Sequence, residues 1–132
     1  MAIGNIPVGQ HQLIDGDFVN GITQGHNMVS QTGISAAGTN HATSTQLADR
    51  IAFLEIDTSS ASQGVSLPAA ISGVQIFVGN NTSNNVTVFP SIANNPVTGT
   101  QDTFNAAATS FPLNANTGQG FTCIKTGIWF TN

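Results

Sequence analysis

The 132-residue sequence predicts an all-β chain, a compact β-sandwich or barrel-like knob of six to seven short strands preceded by an extended N-terminal arm. Two observations carry this. From about residue 41, short runs rich in β-branched and aromatic residues recur at roughly ten-residue spacing, separated by Gly, Asn, Ser and Pro clusters. Before that point apolar residues are scattered and glycines at 4, 9, 16, 21, 25, 33 and 38 interrupt any helical or strand period.

The chain therefore divides into residues 1–40, an arm, and 41–132, a knob. Ile3, Ile6, Val8, Leu13, Ile14 and Phe18 give the arm its apolar content. So short a chain has little core to cover them, so they are expected to anchor on a neighbouring subunit or another protein. A short helix opened by Asp15 or Asp17 competes with this reading, but Gly21 and Gly25 weaken it.

The first knob strand is expected over Arg50 to Ile56; a helix from Thr45 is its rival, because Gln46 to Glu55 contains no breaker. The polar stretch 57–64 reads as a loop, and Val65 to Leu67 as a strand closed by Pro68. Gly73 to Gly79 and Asn85 to Phe89 flank an Asn-rich loop, a hairpin pattern whose Asn80, Asn81 and Asn84 are candidate exposed contacts. Strands over Thr109 to Leu113, Gln119 to Lys125 and Ile128 to Asn132 complete the set, the last two joined at Thr126-Gly127. No internal repeat is visible, which argues against a β-solenoid or propeller.

Charge narrows the function. Only 6% of residues are charged, against about 25% in an ordinary soluble protein. The net charge of −4 sets six acids against Arg50 and Lys125, too few cations to displace counterions from a phosphate backbone, so no nucleic-acid partner is expected. No apolar run has membrane-spanning length and residues 1–12 lack a secretory pattern, so no membrane partner is expected either, and synthesis in the cytoplasm is. Neutral Asn, Thr, Ser and Gln are buried between copies at lower desolvation cost than Lys or Glu, which favours self-association.

Several segments carry a resemblance: Ala42 to Leu47, Val65 to Ala70, Gly73 to Asn81, Val86 to Pro90, Gly99 to Ala107, Phe121 to Ile124 and Gly127 to Trp129. Their succession over residues 33–132 resembles small bacteriophage virion structural proteins that decorate heads or form fibre domains. The resemblance implies a non-catalytic homotrimer on the outer capsid surface, a cement protein that binds the major capsid protein and ties capsomers together. A head or tail fibre module touching a host glycan through loops 80–85 and 94–101, or a free carbohydrate-binding adhesin, are the alternatives.

Candidate chemistry is weak beside these readings, and neither a cofactor nor a metal is expected. His11, His26 and His41 have no ligands at metal-binding spacing. Asp15-Gly-Asp17 opens like a calcium loop but carries Val19 and His26 where ligands belong. Cys123 lies in an apolar strand, as an inert core thiol would. No spacing pairs Asp49, Glu55, Asp57 or Asp102 for acid–base work, with Arg50 expected to pair with a neighbour. Trp129, inside Ile128 to Phe130, is expected in the core and not as an exposed sugar platform. The N-x-S/T triplets at Asn80, Asn81 and Asn85 read as loop chemistry.

Overall fold

The computed structural model describes residues 29–49, 51–105 and 107–131. Ten strands and no helix occur among the described residues: β1 (Ser30–Ser35), β2 (Thr45–Gln46), β3 (Phe53–Thr58), β4 (Gly64–Ser66), β5 (Gln75–Asn80), β6 (Val86–Phe89), β7 (Thr103–Phe104), β8 (Phe111–Leu113), β9 (Thr117–Lys125) and β10 (Ile128–Thr131). They form a six-stranded sheet in the order β1-β3-β5-β9-β10-β7 and a four-stranded sheet in the order β2-β4-β6-β8.

From β1 to β6 the chain alternates between the two sheets. It pairs β1 with β3 and β3 with β5 in parallel on one side, and β2 with β4 and β4 with β6 in parallel on the other. This winding is like that of a β-solenoid, rather than the sandwich or barrel that strand spacing suggested. The missing sequence repeat misled because partners are separated by unequal steps, Ser30 facing Phe53 but Thr45 facing Val65, with strands of two to six residues. After β6 the direction reverses. β8 runs antiparallel to β6, β9 to β5 and β10 to β9, while β7 lies parallel to β10.

The hairpin expected between Gly73 to Gly79 and Asn85 to Phe89 is therefore absent: both strands form, but as β5 and β6 in different sheets. The loop between them passes from one sheet to the other over the surface, Asn81, Ser83 and Asn85 being exposed, while Asn80 at its start turns inward and is buried. Its Nδ2 donates to the carbonyls of Asn84 (2.8 Å), Leu113 (3.3 Å) and Asn114 (3.1 Å), and its Oδ1 accepts from the backbone N–H and hydroxyl of Thr82. The helix considered from Thr45 is likewise replaced by β2 and β3. The closing hairpin forms at Thr126-Gly127, where Gly127 adopts a φ of 95°.

Strand β1 lies inside the stretch expected as an arm, and its Ile34 is buried, so β structure starts before residue 41. Residues 1–28, which include Ile3, Ile6, Val8, Leu13, Ile14 and Phe18, lie outside the described residues, as does Arg50.

Between the sheets, parallel register stacks like on like: Ile34 faces Ile56, Leu54 faces Val78, and Val65 faces Val88. Beyond β6 the filling becomes aromatic. Phe104 and Phe121 lie 5.5 Å apart between ring centroids, Phe111 meets Phe121 edge-on at 5.5 Å, and Trp129 is fully buried.

Among the described residues all four sheet borders are short or interrupted. β2 and β7 have two residues each, β8 has three with Pro112 at its centre, and β1 is broken by a register shift between Gln31 and Ile34 with Gly33 at a φ of 75°. These are standard ways of blunting a strand edge.

Candidate interaction surface

Strand alternation decides which side chains reach the surface of the larger sheet. Leu54, Ile56, Ile76 and Val78 point inward, while Phe53 and Phe77 point outward and stay 42% and 44% exposed. These two residues are register partners on β3 and β5, their ring centroids 6.4 Å apart. Gly118, opposite Gly79 on β9, lets the Phe77 ring lie down on the strand; a Cβ at 118 would stand 2.5 Å from that ring. Gly120, also on β9, faces Phe77 directly. The outcome is an aromatic ridge on a nearly bare backbone floor, with shallow depressions of about 290 and 210 Å³ beside Gly79. Composition alone did not show this ridge, although the signal was present in alternating Phe53-Leu54-Glu55-Ile56 and Gln75-Ile76-Phe77-Val78.

The Asn-rich loop is less available than expected. Asn80 is interior, and Asn84 is half-buried with its Nδ2 donating to the Ser59 carbonyl at 2.8 Å; of the three candidates only Asn81 is exposed. The loop 94–101 is tied down at its base. Asn95 and Asp102 are both buried, with Asn95 Nδ2 donating to Asp102 Oδ1 (2.8 Å) and to the Ala70 carbonyl (3.0 Å), while Ala70 N–H donates to Asp102 Oδ2 (2.8 Å). Asp102 thus holds the loop to the segment joining β4 and β5, a role that the sequence concealed because it needs a residue 32 positions away.

No group of three or more His, Cys, Asp or Glu able to hold a metal occurs among the described residues. His41 is exposed, its ring Nδ1 in hydrogen-bond contact with the Ile92 carbonyl at 3.2 Å; His11 and His26 lie outside the described residues. Cys123 is buried, and its Sγ contacts the Lys125 carbonyl at 3.3 Å. Burial, with a smaller contribution from the nearby Asp102 carboxylate, pushes its thiol pKa up, opposite to what a nucleophile needs. Trp129 is in the core and so offers no sugar platform; its Nε1 is buried with no hydrogen-bond partner.

A cavity of about 560 Å³ opens between the first strands of the two sheets, lined by Gln31, Ile34, Thr45, Leu47, Asp49 and Pro68 among others. Asp49 is the carboxylate among its lining residues, beside neutral and apolar groups.

No protein-family model matches the chain, no curated protein matches it in sequence, and no solved structure matches its fold.

Proposed function

We propose that the chain is a structural protein of a virus particle, a decoration or cement protein seated on the outer surface of a bacteriophage head. The observation that carries this reading is a two-sheet body with blunted borders whose larger sheet exposes Phe53 and Phe77 on a face of few charges. Such a surface suits burial against neighbours in a dense array, where each lost Lys or Glu contact removes a desolvation cost. The succession of segments over residues 33–132 supports the same assignment through its resemblance to phage virion proteins. In this reading Ile3, Ile6, Val8, Leu13, Ile14 and Phe18 of the N-terminal arm anchor the body on the major capsid protein, the β body ties adjacent capsomers, and copies of the chain associate, three together being what the resemblance implies.

Copy number in purified particles of the encoding phage, measured by quantitative mass spectrometry, tests the proposal. Hundreds of copies per head are expected of cement, and a few tens at most of a fibre module. Absence from the particles overturns the virion reading altogether.

A further inference from the structure

We propose that residues 20–24 of this same chain lie as one more parallel strand beside β2, closing the cavity between the first strands of the two sheets with Ile22 turned inward. The winding sets the position. Paired residues in the wound half are 23 positions apart from Ser30 to Phe53, 24 from Phe53 to Phe77, 20 from Thr45 to Val65 and 23 from Val65 to Val88. A strand that precedes β2 by an interval in this range sets Gly25, Gln24, Thr23, Ile22 or Gly21 against Thr45. Ile22 is the one with an apolar side chain, and it stands at an interval of 23, the value that recurs.

The place opposite is shaped for an inward apolar side chain. Thr45 begins a column continued by Val65 and Val88, which are fully buried. Thr45 itself is half-buried, its hydroxyl donating across to the Ser35 carbonyl of β1 at 2.6 Å. Among the described residues no strand lies on the far side of β2. The cavity of about 560 Å³ opens there, with the buried Ile34, Leu47 and Pro68 on its lining. Its other wall shows the same want of cover: Gln31 holds the register place of the buried Leu54 and Val78, yet it is exposed.

The chain reaches this place easily. From Gln24 to Ser30 it has as many residues for crossing between sheets as it uses from Asn80 to Val86. At about 3.3 Å per residue that stretch exceeds the roughly 10 Å between stacked sheets. So short a tether also holds the strand near the cavity at an effective concentration of the order of millimolar, an advantage that a segment of another copy lacks. Residues 20–24 carry no charge, so covering them buries no ion. The anchoring side chains of the arm, of which Phe18 is the last, lie upstream of the added strand, so the inference does not rest on the virion reading.

Oxidation of the full-length chain tests the pairing. Register partners on adjacent strands stand about 4.8 Å apart, within reach of a disulfide. Ile22→Cys combined with Thr45→Cys should therefore close a bond inside one chain, read as a linked 22–45 peptide at the monomer mass of 13.6 kDa. The native Cys123 is buried and takes no part. Ile14→Cys with Thr45→Cys, which depends on chance encounter along the same tether, should link at least about tenfold more slowly. Hydrogen exchange covers the case in which new cysteines disturb β2. In the parent the amides of residues 22–24 and of β2 should be protected together, and Ile22→Asp should speed the exchange of both while leaving β6 protected. Equal rates for the two cysteine pairs, a 22–45 bond between two chains, or amides at 22–24 that exchange as fast in the parent as in Ile22→Asp overturns the proposal.

Discussion

The two halves of the body solve the same packing problem differently. In β1 to β6 the chain winds forward, and parallel register lays aliphatic side chains over one another in ladders, Ile34 on Ile56 and Val65 on Val88. In β8 to β10 it folds back antiparallel, with β7 added in parallel at the edge, and the interior is filled by Phe104, Phe111, Phe121 and Trp129. Branched aliphatic residues stack well when each turn repeats the last. Where the winding stops, the inward positions no longer repeat, and large rings fill the space. Asn80 marks the boundary: it stands over Ile56 where the ladder would continue, and its amide instead bonds the Leu113 and Asn114 carbonyls of the reversing half.

The sharpest way to break this contrast is Trp129→Ala, which should cost about 3–5 kcal/mol in urea unfolding, offset slightly by loss of the orphaned indole N–H. Asn80→Leu prolongs the aliphatic ladder across the boundary but strands several backbone groups. A loss of about 3 kcal/mol is expected, and a stability equal to the parent would show that the junction does not depend on the amide. Gly64→Ala probes closeness in the wound half, since its Cβ would stand 2.7 Å from the Phe89 ring and 2.8 Å from the Thr87 carbonyl. About 1–3 kcal/mol of destabilisation should appear as a lower urea midpoint. Gly118→Ala meets only the tip of the exposed Phe77 ring, which can swing away, so a smaller shift in the same assay is expected.

The smallest effect concerns Cys123. Its folded thiol titrates above its ordinary value of 9.0, so folding favours the protonated form. Stability is unaffected below that value and falls as pH rises past it, because the unfolded chain releases the proton first. Thermal unfolding of the parent and Cys123→Ala across that range should diverge in this sense only.

Much of the strand content was legible. Gln75–Asn80, Val86–Phe89 and Ile128–Thr131 emerge close to where β-branched and aromatic runs place them, and Trp129 and Cys123 are interior as their apolar neighbours imply. The pairing was not legible, because alternation with period two is the same whether a strand's neighbour runs parallel or antiparallel. Asn80 to Asn84 carries the composition of a tight turn, and the Asn80 amide does bond Thr82 and Asn84, yet it also bonds the Leu113 and Asn114 carbonyls over thirty residues away, a distance that local pattern does not encode. Alternation placed Phe53 and Phe77 on outward positions, but that the two meet follows only from the parallel β3–β5 pair, which was not legible for the same reason.

The interrupted sheet borders set how this molecule behaves in a crowd. With the described margins of both sheets reduced to two or three residues, proline-bearing or bulged, neighbouring molecules find no long straight backbone to zip onto. High local concentration is thereby uncoupled from ribbon growth: the protein can stand shoulder to shoulder with its own kind without seeding amyloid.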